Sequence, residues 1–344
     1  MNDLYDRTFD ELSVWAAENG LPAYRTGQVF RWLGRGVTTF DAMTDLSKDL
    51  RAKLATDFRM DNLAVERKLV SAEDETTKYV FRLRDGNRVE SVLMKYHHGY
   101  SVCISSQAGC RMGCTFCAST GAGFGRNLTA GEMLAQVALI GADCGARISN
   151  VVVMGIGEPF DNYAQLVRFL RLVNDERGLG IGMRHISVST CGCVPEMVDF
   201  TDEGLPVTLS VSLHAPNDEI RKRLMPIARI HPIDQLLEAC RRHVERTGRR
   251  ISFEYSLFQG VNDRPEHALE LARRLRGLQC HVNLIPANEF AGGLYRRSRP
   301  DAIRAFQDVL VREGINATVR RELGTDIDAA CGQLRRRLEE AETD

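Results

Sequence analysis

Three cysteines lie within one short segment of this 344-residue chain, in the order Cys110-Arg-Met-Gly-Cys114-Thr-Phe-Cys117. Thiolates are soft ligands that select zinc or iron–sulfur clusters. A structural zinc site normally takes four protein ligands in paired spacing, whereas three grouped cysteines leave one coordination position open. The spacing therefore favours a [4Fe–4S] cluster with one iron free to bind a reacting molecule. A zinc loop is the alternative.

Small and polar residues follow several strand-like runs downstream of the cysteines. Gly155-Ile-Gly157-Glu158-Pro159 follows the second run, where glycines let the backbone approach a ligand and Glu158 offers an acceptor to an ammonium group. The same segment is also typical of a plain strand-to-helix turn. Further polar positions end later runs, where parallel barrels place their sites: Ser189, Ser212, His214 and Asn288. A lone histidine is more often structural, but the recurrence of polar residues at one rim favours a ligand site.

From about residue 100 the chain alternates between short apolar runs and amphipathic stretches. The strand-like runs are 100–105, 150–154, 185–189, 207–213, 251–257 and 281–285, and the helical stretches are 129–143, 161–174, 195–203, 232–246, 265–276 and 299–313. Six such units in order predict an α/β fold, with a parallel sheet and crossover helices. Crossovers that keep one direction curl the sheet toward a barrel, and a doubly wound sheet is the alternative.

The first hundred residues have a different texture. Residues 1–60 carry helical apolar patterns, with Ser47 as a candidate N-cap. Alternating residues on both sides of Asp85-Gly86-Asn87 predict a β-hairpin.

Charge and hydropathy limit the classes of function. The chain has 45 Lys and Arg against 46 Asp and Glu, a net charge of −1, so any nucleic-acid binding must come from a local patch. Candidate phosphate contacts, which are also typical of solvated helix faces, are Arg221-Lys222-Arg223, Arg249-Arg250, Arg296-Arg297 and Arg320-Arg321. No apolar run approaches the roughly 18 residues of a membrane helix, and the first residues are acidic where a signal peptide is basic. We expect a cytoplasmic protein without a membrane partner, whose ten cysteines serve metal binding or catalysis rather than disulfides.

The cysteine spacing, with an aromatic residue before the last cysteine, resembles the radical S-adenosylmethionine (SAM) superfamily. A closer resemblance, to the RlmN/Cfr family of RNA adenosine methyltransferases, is carried by residues 102–110 (VCISSQAGC), 123–129 (GFGRNLT), 213–218 (LHAPND) and 326–334 (DIDAACGQL). It runs from about Pro22 to Leu334. It implies a partial (β/α)6 barrel and a [4Fe–4S] cluster on Cys110, Cys114 and Cys117. It also implies SAM bound by Gly157, Glu158, Ser189, Ser212, Leu213, His214 and Asn288.

The same resemblance gives chemical roles to three further residues. It implies that one SAM methylates the sulfur of Cys331, and that a 5′-deoxyadenosyl radical from a second SAM takes a hydrogen from that methyl group. The resulting carbon radical adds to the base. Cys103 then attacks the sulfur of Cys331 in a thiol exchange that forms a transient disulfide, and Glu90 removes the ring proton. Without the resemblance, both cysteines are typical of small buried residues and Glu90 of a solvated charge.

The resemblance also divides the chain and indicates its substrates. It implies a helical RNA-facing domain (1–60), a β-hairpin extension (61–95), a radical SAM barrel (96–330) and a C-terminal segment (331–344) with the methyl-accepting cysteine. Pro159, the Ala-Pro-Asn-Asp after His214, and Asn283 resemble the branch that methylates C2 of adenosine. That branch acts on 23S rRNA and often on the anticodon loop of tRNA, with electrons from a donor such as flavodoxin or ferredoxin.

One departure and two alternatives stay open at this point. Gly121-Ala122 stands where the family commonly has a larger pair with glutamine, in the loop after the cluster cysteines that would help to position cofactor or substrate. The alternatives are a C8-adenosine methyltransferase of 23S rRNA, the second branch of the family, and a non-catalytic zinc protein that binds RNA.

Overall fold

The computed structural model describes residues 2–121, 123–289, 293–330 and 332–334. Its helices are α1 (Phe9–Glu18), α2 (Tyr24–Gly34), α3 (Lys48–Asp57), α4 (Ala130–Cys144), α5 (Tyr163–Asn174), α6 (Val194–Asp202), α7 (Asp218–Leu224), α8 (Ile233–Thr247), α9 (Pro265–Leu275) and α10 (Pro300–Arg312). Its strands are β1 (Asn2–Asp3), β2 (Phe58–Arg59), β3 (Leu63–Val70), β4 (Thr77–Leu83), β5 (Arg88–Tyr96), β6 (Gly99–Ile104), β7 (Gln107–Gly109), β8 (Phe124–Asn127), β9 (Ile148–Val153), β10 (Ile186–Thr190), β11 (Thr208–Ser212), β12 (Ile251–Leu257), β13 (Cys280–Pro286) and β14 (Ala317–Val319).

Seven strands of the main sheet are parallel and follow chain order, β6-β9-β10-β11-β12-β13-β14. A doubly wound sheet reverses its strand order, and this sheet does not, so the partial barrel is confirmed. The six predicted strands correspond to β6 and β9 to β13, and the six predicted helices to α4, α5, α6, α8, α9 and α10. Neither α7 nor β14 is predicted, because seven or three residues are too few to establish a period.

The predicted hairpin is β4 and β5, which pair antiparallel on both sides of the Asp85-Gly86-Asn87 turn. Strand β3 adds to its outer side. Strand β5 also pairs antiparallel with β6, with Val92 opposite Cys103, so the extension and the barrel share one ten-stranded sheet. Side chains of β5 are therefore placed directly beside the first barrel strand.

The three N-terminal helices lie against the barrel. Ser47 caps α3 as predicted, accepting a hydrogen bond from the Leu50 amide at 3.3 Å. The loop before α1 is joined to α4, because Asp6 Oδ1 accepts from the Gly131 amide at 2.6 Å. Arg168 of α5 donates to the Asp6 carbonyl at 2.6 Å. These bonds fix the helical layer to the first two barrel helices.

The barrel strands supply the core. Their buried positions are mostly β-branched or aromatic, among them Val151, Val153, Val188, Val211 and Phe253, as expected for parallel strands covered on both faces. Among the described residues, none of the helices is both long and apolar enough to cross a membrane.

Candidate active site

The three predicted cluster ligands lie on one loop that follows β6 and the short strand β7, and all three line one cavity. The loop is anchored to the end of α7, because the Thr115 amide donates to the Leu224 carbonyl at 3.0 Å. Within the loop, the Cys117 amide donates to the Cys114 carbonyl at 3.2 Å. The backbone therefore holds the three sulfurs toward a common space.

Burial and mutual proximity raise the pKa of the Cys110 and Cys114 thiols. Burial raises the pKa of Cys110 to about 12, and the nearby Cys117 adds to the rise. Burial, then Cys117 and Cys110, raise the pKa of the Cys114 thiol well above its usual range. Such thiols ionise readily only when a metal takes up the thiolates. A donor set of three soft sulfurs fits an iron–sulfur cluster whose fourth iron is open.

Six of the seven predicted SAM-binding residues line the same cavity: Gly157, Glu158, Ser189, Ser212, His214 and Asn288. They lie at or just after the carboxyl ends of β9, β10, β11 and β13. Leu213 is the exception. Its side chain is buried in the core, and its backbone amide donates to the Glu254 carbonyl at 3.0 Å.

Glu158 is a buried carboxylate that also shapes the rim. Its Oε1 accepts from the Phe160 amide at 3.0 Å and its Oε2 from the Cys191 amide at 2.7 Å. Burial raises the pKa of Glu158, and the two amides oppose that rise. Since Pro159 begins a 3-10 turn directly after it, Glu158 both closes the strand-to-helix turn and faces the cavity. A carboxylate oxygen has a second lone pair, so an ammonium group can still bind.

His214 is held as a neutral imidazole. Its Nδ1 accepts from the Ser256 amide at 2.9 Å, and its carbonyl accepts from Asn262 Nδ2 at 2.7 Å. Burial lowers the pKa of His214 to about 3, so its proton is on Nε2. The ring packs edge-on against Phe116, with centroids 4.8 Å apart. Phe116, which sequence reasoning noted only as the aromatic before the last cysteine, thus braces the cluster loop against β11.

A second, smaller cavity adjoins the first and contains Cys103. The two share four lining residues: Met154, Ile285, Asn288 and Arg320. Cys103 is 8% exposed and lies in a small apolar cluster with Ala329 and Leu334. These two residues flank position 331. Cys331 itself lies outside the described residues, and so do residues 335–344 and Ala122 of the Gly121-Ala122 pair.

Glu90 is fully buried, unlike the solvated charge that a hairpin residue ordinarily is. Its carboxylate lies 3.9 Å from the ammonium of Lys78, and each side chain is 1% exposed. Lys78 Nζ also donates to the Asp328 carbonyl at 3.1 Å. The lysine therefore connects Glu90 to the chain segment that leads into position 331.

The turn between β3 and β4 holds residues 324–326, a contact that sequence reasoning did not predict. Asp326 accepts from the Ser71 hydroxyl and the Ala72 amide, each at 2.8 Å. The Gly324 amide donates to Asp74 Oδ2 at 2.9 Å. The only sequence feature that pointed to this contact is that Asp326 is the first residue of segment 326–334, which resembles the family. Its partner on the turn lies about 250 residues away.

The residues expected to contact phosphate differ in how exposed their side chains are. Lys222 and Arg223 are exposed. Arg297 is committed to a two-pronged ion pair with Glu322, at 2.7 and 2.6 Å. The expectation for Arg221 is wrong, because its side chain is fully buried. A buried guanidinium cannot reach RNA.

Cys191-Gly-Cys193 follows directly after β10. Both thiols are buried, and with Glu158 they place three donor atoms within 4.8 Å of one another. Cys191 lines the large cavity, so this group belongs to the wall of the same site.

Two family profiles match the chain. The Radical SAM superfamily matches residues 104–272, which run from the end of β6 into α9. The ribosomal RNA large subunit methyltransferase N-terminal domain matches residues 2–60, the layer of three helices.

Curated relatives and a solved structure match nearly the whole chain. A protein of Alkaliphilus oremlandii (strain OhILAs) named "Probable dual-specificity RNA methyltransferase RlmN" is 51% identical over 335 residues, 97% of this chain and 98% of the relative. The protein of the same name from Bacillus subtilis (strain 168) is 49% identical over 344 residues, 99% of this chain and 94% of the relative. The crystal structure of a radical SAM methyltransferase from Sphaerobacter thermophilus aligns with a TM-score of 0.94 at 47% identity, covering 97% of this chain and 99% of that one.

Proposed function

The chain belongs to the RlmN family of radical SAM RNA methyltransferases, and on that premise we propose that it methylates C2 of adenosine in 23S rRNA and in the anticodon loop of tRNA. One observation carries the proposal. The cavity lined by three cysteines adjoins a second cavity that is lined by Cys103 and by residues flanking Cys331. Cofactor chemistry and thiol chemistry can therefore act on one substrate atom.

Cys110, Cys114 and Cys117 would hold the cluster, whose open iron leaves one position for SAM. Around it, the residues that would bind SAM are Gly157, Glu158, Ser189, Ser212, Leu213, His214 and Asn288, with Leu213 contributing its backbone. Cluster and SAM together supply a 5′-deoxyadenosyl radical when an electron arrives from a donor such as flavodoxin or ferredoxin. Glu158 would accept from the ammonium of SAM, while neutral His214 adds no positive charge beside the sulfonium.

The chain's own sulfurs would carry the methyl group. Cys331 would accept it from a first SAM. The 5′-deoxyadenosyl radical would then take one hydrogen atom from that methyl group, and the sulfur-bound carbon radical would form a bond to adenine C2. Adenine C2 is electron-poor and its C–H is not acidic, so transfer of a methyl cation fails where a carbon radical succeeds. RNA and protein are then covalently joined through Cys331, and the adduct would pass its unpaired electron back to the oxidised cluster, so that a closed-shell adduct remains.

Release of that adduct would fall to Glu90 and Cys103. Glu90, held beside Lys78, takes the proton from C2. The Cys103 thiolate attacks the sulfur of Cys331, so an S–S bond forms as the S–C bond breaks and the electron pair passes to the departing carbon, which then takes a proton. A cellular dithiol reduces the resulting disulfide. The apolar surroundings of Cys103 keep water from this exchange.

The other parts of the chain take supporting roles in the proposal. Residues 1–60 face the RNA, 61–95 hold residues 324–328 in place, 96–330 form the radical-generating barrel, and 331–344 carry the methyl-accepting cysteine. Exposed arginines and lysines supply phosphate contacts, and the target base is unstacked into the cavity. Ribosomal RNA and tRNA as substrates imply a cytoplasmic protein.

Nucleoside mass spectrometry tests the proposal. The reconstituted protein is incubated without oxygen with SAM, a one-electron reductant and either a 23S rRNA fragment or tRNA, with Cys114→Ala as the matched control. We expect 2-methyladenosine in both RNAs and none with the control. Finding 8-methyladenosine would contradict the position, and unmodified tRNA would contradict the second substrate. A zinc-containing preparation without turnover would favour the RNA-binding alternative.

A further inference from the structure

Arg221 of α7 is the largest fully buried side chain among the described residues, with 0% of its surface exposed. Placing a guanidinium in a protein interior is costly unless an anion opposes its charge. The contacts of Arg221 do not include such an anion.

Three carbonyl groups accept hydrogen bonds from Arg221. Its Nη2 donates to the Cys191 carbonyl at 2.7 Å and to the Ser212 carbonyl at 3.5 Å, and its Nη1 donates to the His231 carbonyl at 3.4 Å. Its Nε has no hydrogen-bond partner in the described part of the chain. Carbonyls orient a guanidinium but carry no net charge to balance it.

Nearby carboxylates are engaged elsewhere. Asp218 starts the same helix, and its Oδ1 accepts from the Ile233 amide at 2.9 Å. Glu158 lies on the other side of the Cys191 peptide, where it accepts from the Cys191 amide. In the proposed function its charge is opposed by the ammonium of SAM. Neither carboxylate lies within ion-pair distance of Arg221 among the residues that the structure describes, although the negative charge of Asp218 also acts on the guanidinium.

The cluster loop is a further place from which negative charge acts on Arg221. The carboxyl end of α7 is joined to that loop by the Thr115 to Leu224 hydrogen bond. Arg221 Nη2 also donates at 2.7 Å to the carbonyl of Cys191, which lines the same cavity as the three cluster cysteines. Arg221 is close enough to Cys114 for their charges to interact. A cationic side chain is thus fixed behind the cluster ligands.

We propose that Arg221 is the buried counter-charge of the iron–sulfur cluster, a positioning residue that raises the reduction potential of the cluster. A [4Fe–4S] centre with three thiolates carries one net negative charge when oxidised and two when reduced. A fixed cation stabilises the second charge more than the first, so it favours the reduced state. This role depends on the cluster and not on the adenine-C2 assignment, so the two can fail separately.

Two substitutions separate charge from hydrogen bonding. Arg221→Lys keeps the charge and loses the forked donor geometry, whereas Arg221→Gln keeps a donor and loses the charge. Arg249→Gln is the matched control, because Arg249 also donates to a carbonyl, that of Val207 at 3.1 Å. It lies before β12, at the opposite end of the barrel from the cluster loop.

The readout is a redox titration of each reconstituted protein, followed by electron paramagnetic resonance of the reduced cluster, with iron content and melting temperature measured alongside. At the potential where the parent is half reduced, we expect Arg221→Gln to show a reduced-to-oxidised ratio about tenfold lower, a shift of about 59 mV. Arg221→Lys should keep the parent potential, even if its melting temperature falls, and so should Arg249→Gln.

Other outcomes would overturn the proposal. If Arg221→Lys shifts the potential as far as Arg221→Gln, or if neither shifts it while both melt earlier, Arg221 only ties the three loops together. Should Arg221→Gln fail to fold, Arg221→Lys decides alone, because a tenfold loss of the reduced state with the charge retained contradicts an electrostatic role.

Discussion

Gly157→Ala is expected to disturb the SAM-binding rim more than its size suggests. Gly157 has a φ of +111°, and a Cβ there would lie 2.6 Å from the Cβ of Gln107 and 2.8 Å from its backbone nitrogen. A left-handed backbone costs an L-residue about 1–2 kcal/mol. Overpacking of a filled site adds about 1–3 kcal/mol. The sum predicts a loss of about 2–5 kcal/mol in the free energy of unfolding.

The displaced neighbour connects that clash to cofactor binding. Gln107 Oε1 accepts from the Glu158 amide at 2.8 Å, and Gln107 Nε2 donates to Asn127 at 2.8 Å and to Asp161 at 2.7 Å. A shift of Gln107 therefore moves Glu158. We expect the affinity for SAM to fall by about tenfold, equivalent to about 1.4 kcal/mol.

Gly204→Ala is the control for backbone strain alone. Gly204 has a φ of +64°, and a Cβ there would meet no atom within 4 Å. The Gly204→Ala substitution should lower the free energy of unfolding by about 1–2 kcal/mol and leave SAM binding unchanged. Urea denaturation of the apoprotein measures the stabilities, and equilibrium binding of SAM to the reconstituted protein measures the affinity. If Gly157→Ala costs no more than Gly204→Ala and binds SAM as the parent does, the argument from close packing at this turn is refuted.

Three further predictions concern the sulfur exchange, the buried pair and pH. Cys103→Ala should accumulate a covalent RNA–protein adduct on denaturing gels, with Cys144→Ala as a control that turns over normally; free turnover of Cys103→Ala would contradict its assignment. Lys78→Met should lower the free energy of unfolding by about 3–5 kcal/mol, since it removes the cation that lies 3.9 Å from the buried Glu90 carboxylate, and adding Glu90→Gln should restore part of the loss in urea denaturation. Burial raises the pKa of Asp3 to about 7. Between about pH 4 and pH 7 the native state therefore keeps a proton that the unfolded chain has released. The free energy of unfolding falls as pH rises through this range. Asp3→Asn should remove that decline, so the free energy of unfolding of the variant should exceed that of the parent by about 4 kcal/mol above pH 7. Equal pH profiles of the two proteins would rule out a buried acid at this position.

Local patterns of the sequence were sufficient for the barrel and its ligand loop. Six strands and six helices are long enough to show a period, and the cysteine spacing is specific by itself. The polar ends of the strands gather at one rim because parallel strands bring their carboxyl ends to the same edge. Hence six of the seven predicted SAM-binding residues line one cavity.

What the sequence could not provide are contacts between distant segments. Strand β5 pairs with β6, and Ser71 and Ala72 donate hydrogen bonds to Asp326. The sequence pattern of each of these segments contains no information about its partner. Arg221 shows the same limit, because its basic neighbours Lys222 and Arg223 are exposed and only the packing of α7 buries it. Leu213 adjoins two cavity-lining residues, yet strand alternation directs its side chain into the core.

The fate of a labelled methyl group tests the radical route through Cys331 most directly. The reconstituted protein is given SAM with a trideuterated methyl group and its RNA substrate without oxygen, and both products are analysed by mass spectrometry. The account predicts that the methyl group on adenosine retains two deuterium atoms and gains one hydrogen from solvent, while 5′-deoxyadenosine acquires the third deuterium. Intact transfer of all three deuterium atoms to RNA, without labelled 5′-deoxyadenosine, would contradict it.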